Sequence, residues 1–356
     1  MTTNDPAAIA SLKDVPDGGH TLVASNEPEL EPGLVIDGRF RICATVGRSG
    51  MATIYRAEDL LMGGREVALK IPLLRVESDP ACFARFLNEE EAGLRFDHPY
   101  LVTVHRVEGR KSRPYLAMEF LRGSTLAHVM DRMRPLPEGD ALKIASMICE
   151  ALAHMHGRGV IHRDLKPSNI MICRDGGFRL FDFGLASPPL RRRGVFAWIT
   201  PTFGTPEYMA PEQVRNGSID ERADVYGVGA ILYEMLTGEV PFRREDPWAS
   251  GFARLSGDPK APRLLNPKLS TQAEEIVLHA LRRKPADRFQ TVLEFKAALD
   301  APDRVRVTGL RDRLQISKGP RLSFQATPIR SGALIGLGTL IGLLALFLLL
   351  RIVLRA

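Results

Sequence analysis

His162-Arg163-Asp164-Leu165-Lys166-Pro167-Ser168-Asn169, followed thirteen residues beyond Asn169 by Asp182-Phe183-Gly184, carries the most specific chemistry in this chain. Phosphoryl transfer asks a protein for positioning and charge neutralisation rather than covalent chemistry. A carboxylate must orient a hydroxyl and accept its proton, and Asp164 is the candidate. Mg2+ takes hard oxygen ligands, which Asn169 and Asp182 can supply. One acidic tripeptide alone could be a surface loop, but the two segments at this spacing argue against chance.

The chain changes character on either side of this stretch. Upstream, 40–46, 53–58 and 66–71 read as short strands, with turn signals between them such as Gly63-Gly64. Residues 83–96 have helical spacing of Phe83, Phe86 and Leu87, and 101–107 and 114–120 read as two more strands. After Gly123, 141–156 and 225–236 are long apolar helical stretches, and shorter helices are expected at 272–281 and 292–299. The expectation is an α+β chain in which a small strand-rich lobe precedes a larger helical one. No repeat at solenoid periods is visible.

The 356 residues, 45% hydrophobic and 25% charged, describe an ordinary globular protein. The net charge of +6 is unevenly placed. Residues 1–36 set Asp5, Asp14, Asp17, Glu27, Glu29 and Glu31 against Lys13 alone. Residues 301–330 set six arginines and Lys318 against Asp303 and Asp312. Cys43, Cys82, Cys149 and Cys173 are scattered without C-x-x-C spacing, which argues against a zinc site or disulfide framework. The acidic N-terminus does not have the pattern of a signal peptide. From Gly332 to Leu350, Thr339 is the only polar residue. A helix of that length is roughly 28 Å long, close to the hydrocarbon thickness of a bilayer.

The motif stretch resembles the protein kinase family, specifically the bacterial Hanks-type serine/threonine kinases, over about 39–300. The resemblance implies the two-lobed protein kinase fold, ATP as phosphoryl donor, Mg2+ with Mn2+ as a substitute, and protein serine or threonine as acceptor. Val67-Ala68-Leu69-Lys70 is similar to the strand whose lysine holds the α- and β-phosphates. Its carboxylate partner should come from Glu89-Glu90-Glu91, and counting back from His98-Pro99 favours Glu89. The family's glycine-rich loop falls on Gly47-Arg48-Ser49-Gly50-Met51-Ala52, which keeps only the first glycine of the pattern and adds Gly50. Val46 and Ile54 flank it on the ATP side, Met118 is the gatekeeper, and backbone groups of Glu119 and Leu121 are expected to meet the adenine.

In the same resemblance Lys166 marks the serine/threonine branch and neutralises the transferring group. Residues 204–212 match the substrate-docking loop and A-P-E segment; Glu212 should pair with Arg288, and Asp224 should brace the catalytic loop. Arg163 beside the base implies a switch by phosphorylation, with Thr200 and Thr202 as the expected sites and Thr205 as a partner of the catalytic Asp and Lys. A pseudokinase scaffold is the alternative, favoured only by the altered glycine loop. A small-molecule phosphotransferase conflicts with 204–212.

Four segments are expected: a disordered acidic 1–38, a kinase domain at 39–300, a basic juxtamembrane linker at 301–330, and a transmembrane tail anchor at 331–354. The basic flank puts the kinase domain on the cytoplasmic side of the cell membrane, in contact with the lipid bilayer. Gly332-x-x-x-Gly336 and Gly338-x-x-x-Gly342 allow a homodimer. No nucleic-acid partner is expected, and Trp248 and Arg254 are candidate surface residues for substrate choice.

Overall fold

A computed structural model describes residues 28–183, 206–215, 217–243 and 253–315, all within the unit Met1–Ser317. Regular structure begins ahead of position 39, the start expected from sequence, with strand β1 (Val35–Ile36). Val35 and Ile36 pair antiparallel with Arg41 and Phe40, so the apolar end of the acidic segment is used as an edge strand. Strands β2 (Phe40–Arg48), β3 (Ala52–Asp59) and β4 (Arg65–Pro72) follow as antiparallel neighbours. Gly63 and Gly64 turn the chain between β3 and β4 at φ +68° and +79°, backbone that glycine adopts without a Cβ penalty.

Strands β5 (Val104–His105) and β6 (Leu116–Glu119) complete a six-stranded sheet in the order β1-β2-β3-β4-β6-β5. The strand expected over 101–107 is shorter because its first part pairs elsewhere. Leu180 N–H donates to the Tyr100 carbonyl at 2.8 Å, and Val102 N–H donates to the Leu180 carbonyl at 3.0 Å. One sheet face buries Phe40, Ile42, Tyr55, Leu69 and Tyr115, with the Phe40 and Tyr115 rings edge to face at 5.6 Å. Each such side chain stabilises the lobe by roughly 1.5–3 kcal/mol through burial.

Helix α1 (Leu74–Glu77) leads into α2 (Pro80–Gly93). Asp79 starts α2 by accepting the N–H groups of Ala81 and Cys82, with Pro80 at the first helical position, where its missing N–H costs nothing. Strand β7 (Gly123–Thr125) opens the second lobe and joins β8 (Ile170–Cys173) and β9 (Phe178–Leu180) in a three-stranded sheet.

The remaining described helices are α3 (Leu126–Arg132), α4 (Glu138–His156), α5 (Pro211–Val214), α6 (Arg222–Thr237), α7 (Pro262–Leu265), α8 (Thr271–Ala280) and α9 (Val292–Asp300). Helix α4 carries Glu138 and Asp140 in its first turn, which suits the helix dipole. Helix α6 is apolar almost all round and is buried accordingly. A Cβ on Gly229 would meet Ala280 Cβ at 2.8 Å, so glycine lets α6 approach α8.

Residues 301–315, the first half of the stretch read as a basic linker, lie against α8. Thr308 N–H and Oγ1 donate to Glu275 Oε1 at 3.0 and 2.5 Å, and Gln315 N–H donates to Asp258 Oδ2 at 2.9 Å. Among the described residues no helix is long and apolar enough to cross a membrane. Segment 331–354, expected to span one, lies outside them, as do residues 1–27, Gly184, Trp248 and the threonines at 200, 202 and 205.

Candidate active site

Lys70 sits on β4, in register with Ile54 of β3 and Leu116 of β6. Its Nζ lies 2.7 and 2.6 Å from Glu89 Oε1 and Oε2, and 3.3 Å from Asp182 Oδ1. Of the three consecutive glutamates on α2, only Glu89 is buried towards the cleft. Glu90 pairs with Lys111 at 2.5 Å, and Glu91 is exposed. Burial opposes the Lys70 charge, but Asp182 and Glu89 outweigh it and hold the ammonium above its ordinary range. Burial pushes the Glu89 carboxyl up to about 7 against the pull of Lys70. For Asp182 burial also acts upward, yet Lys70 and Lys166 prevail and bring it down to about 2. Asp182 is therefore a carboxylate at neutral pH.

The catalytic loop is held from below. Asp224 of α6 accepts the backbone N–H groups of His162 and Arg163, each at 2.9 Å, and its Oδ2 lies 2.8 Å from His156 Nε2. Burial would raise Asp224, but the bond to His156, the nearby His156 and His162 rings and the bond from Arg163 N–H lower it. Arg163 and Asp182 stand at φ +67° and +71°, conformations that side-chain-bearing residues adopt at a cost of roughly 1–3 kcal/mol. Asp164 projects from this loop, and Lys166 Nζ donates to its Oδ2 at 2.9 Å. Asn169 Nδ2 donates to the Asp164 carbonyl at 3.0 Å, so the Asn169 amide oxygen is the atom available to a cation. Phe183 is buried edge-on to Phe96 and His162, at 5.3 and 6.1 Å between ring centroids.

Beside this polar set lies a largely apolar cleft. Val46, Ile54, Met118, Glu119 and Leu121 line it, together with Ala68, Val102, Phe120, Met171 and Phe181, which sequence reasoning did not single out. Two of those had a signal: Ala68 alternates with Lys70 on β4, and Met171 lies two residues beyond Asn169. Gly47 ends within β2, and Gly50 lies in the turn to β3, so both stand beside the cleft rather than among its lining residues. The Glu119 N–H is committed to the Thr103 carbonyl at 2.9 Å, and its carboxylate accepts from Thr103 N–H and Arg179 Nε.

On the far side of the catalytic loop, Arg288 Nη1 and Nη2 each donate to a Glu212 carboxylate oxygen at 2.7 Å. Gln213 Nε2 donates to the Arg163 carbonyl at 2.9 Å, a link that the sequence did not announce. Arg254, expected at the surface, is instead 1% exposed. Its guanidinium donates to the Met209 and Glu207 carbonyls and packs against the Tyr226 and Phe242 rings, which removes it from solvent.

The model of the protein kinase domain matches residues 40–300, the stretch that holds Lys70, Glu89, Asp164, Asn169, Asp182 and the residues lining the cleft. The chain belongs to the protein kinase family, in its bacterial Hanks-type branch. It is 35% identical over 314 residues to serine/threonine-protein kinase pkn3 of Myxococcus xanthus, covering 83% of this chain and 54% of that protein. It is 36% identical over 287 residues to Pkn1 of the same organism, covering 78% and 40%. Against PknB of Mycobacterium tuberculosis the figures are 33% over 268 residues, 74% and 43%. The chain thus spans about half the length, or less, of the curated relatives it matches.

Proposed function

We propose that this chain is a serine/threonine protein kinase that moves the γ-phosphoryl group of ATP onto serine or threonine hydroxyls of other proteins. The supporting observation is Lys70 Nζ, 2.6 Å from Glu89 and 3.3 Å from Asp182, which joins the small lobe's lysine to the metal-side carboxylate. The ionised Asp182 and the Asn169 amide oxygen are hard donors and fit Mg2+, or Mn2+ in its place. When bound, that ion neutralises charge on the phosphates.

The chain's own groups have separate tasks. The apolar cleft takes the adenine, with base contacts from the Glu119 carbonyl and the Leu121 backbone. Lys70 holds phosphate oxygens. Asp164 orients the acceptor hydroxyl and takes its proton, steadied by Lys166 at 2.9 Å, whose ammonium also offsets charge on the group in transit. A scaffold without turnover finds no support in a site so assembled.

Activation follows from phosphate placed on Thr200 or Thr202, since Arg163 beside the base offers such a phosphate a cation. The apolar run in 331–354 and its basic flank favour a single-pass anchor in the cell membrane, with the kinase domain cytoplasmic and pairing between glycine faces.

The test is the full chain with Mg-ATP and a generic acceptor protein beside its Asp164→Asn variant, read by phosphopeptide mass spectrometry. Phosphoserine or phosphothreonine on the acceptor only with the parent is the expected result. No phosphate from either would overturn the assignment, and phosphate on the acceptor with none at Thr200 or Thr202 would remove the switch alone.

A further inference from the structure

The turn from β2 to β3 closes on itself through Ser49. Its Oγ accepts the backbone N–H of Met51 at 3.2 Å and of Ala52 at 3.1 Å, and lies 3.2 Å from the Ala52 carbonyl, to which it can donate. The Ser49 N–H also donates to the Ala52 carbonyl at 2.9 Å. The tip is held from α1 as well: Arg75 Nη2 donates to the Gly50 carbonyl at 2.6 Å, and Leu73 N–H donates to the Met51 carbonyl at 3.0 Å.

This turn stands where phosphates must pass. Val46 and Ile54, on its two flanking strands, line the apolar cleft, and Ile54 is the register partner of Lys70. A nucleotide with its base in the cleft and its phosphates at Lys70 therefore runs its phosphate chain beneath Gly47 to Ala52. Successive backbone N–H groups in such a turn are natural anion donors. Two of them are directed at a side-chain oxygen of the turn itself.

We propose that the Ser49 hydroxyl competes with the phosphates of ATP for the N–H groups of Met51 and Ala52, so that Ser49 sets how tightly the chain holds phosphate. This rests on the assignment of the cleft to ATP and goes beyond it, because it makes the side chain of Ser49, which stands where the family pattern has glycine, a determinant of affinity. The hydroxyl accepts both N–H groups at once, as a phosphate oxygen would, and each must be released before a phosphate can be bonded. A hydrogen bond exchanged in this way changes affinity by roughly fivefold. Arg75 and Leu73 keep the turn in place whichever acceptor it has, so removing the hydroxyl leaves the donors where they are.

The experiment is calorimetric titration of the full-length chain, Ser49→Ala and Ser49→Gly with ATP and, separately, with adenosine, all in Mg2+. Adenosine has the base but no phosphate. The expected result is ATP binding tighter by about three- to tenfold in both variants, with adenosine affinity unchanged. A general disturbance of the lobe would move both ligands together. An unchanged ratio of ATP to adenosine affinity overturns the proposal, and so does weaker ATP binding, which would make the hydroxyl a phosphate donor instead. If the unaltered chain binds neither ligand, the ATP assignment itself falls and this inference falls with it.

Discussion

Asp224 Oδ1 accepts the backbone N–H of Arg163 at 2.9 Å, and Arg163 is held at φ +67°. A buried carboxylate on α6 thus fixes the backbone one residue ahead of the proposed base, and the same carboxylate takes His162 N–H and faces His156. The shape of the loop that carries Asp164 thus depends on a side chain of a neighbouring helix.

Removing that carboxylate should cost stability before it costs chemistry. Asp224→Ala strands two buried N–H groups and the His156 ring, each worth roughly 1–3 kcal/mol. We expect a loss of about 3–5 kcal/mol in urea unfolding, with Asp224→Asn intermediate. An unchanged unfolding midpoint would show that the loop holds its shape without α6.

The opposite pattern is expected of Asp164. Asp164→Asn should lower phosphate incorporation by on the order of 10²- to 10⁴-fold, the usual contribution of a positioned base. The fold and ATP affinity should stay near those of the parent, because the Asp164 side chain bonds only Lys166 among the described hydrogen bonds. Equal loss of ATP binding would move Asp164 from chemistry to structure.

Glu89 gives the site a pH dependence. Its carboxyl is raised from an ordinary 4.5 to about 7, chiefly by burial. Only the carboxylate pairs fully with Lys70, so activity should rise with pH through about 7. For folding the sign is opposite. A raised carboxyl binds a proton more tightly in the native chain, so its contribution to stability is present below 4.5 and lost as pH rises through about 7. Glu89→Gln should be less active at every pH and lack both dependences; a rate profile unchanged in that variant would assign the acidic limb to another group.

The Glu212–Arg288 pair should be structural. Arg288 is buried beneath Glu212 and also donates to the Arg222, Arg282 and Arg283 carbonyls. Arg288→Ala breaks a buried pair and should destabilise by roughly 3–5 kcal/mol. Arg288→Lys keeps the charge but loses the fork, and should recover only part of that in thermal melts. Full stability in Arg288→Ala would mean that the A-P-E segment is held by Gln213 and Arg254 instead.

Much of the site was legible because its chemistry is local in sequence. Asp164, Lys166 and Asn169 share one loop, Asp182 lies thirteen residues further on, and Gly63-Gly64 announces its hairpin through backbone freedom alone. The long apolar stretches located α4 and α6, and the expected shorter helices located α8 and α9, to within a few residues at each end. These features depend on residue type and short-range periodicity, which any single sequence carries.

Other features depended on how distant segments pack. Glu89, Glu90 and Glu91 are chemically identical, and the rotation of α2 against β4 gives the first to Lys70, the second to Lys111 and the third to solvent. Arg254 read as a surface cation until Tyr226 and Phe242 closed over it. The strand expected from 101 was shortened because Tyr100 and Val102 found Leu180 as a partner. Residue type and short-range pattern name the groups the chain owns and the local elements that carry them. Which of those groups meet follows from packing, because burial and pairing are set by contacts between segments far apart along the chain.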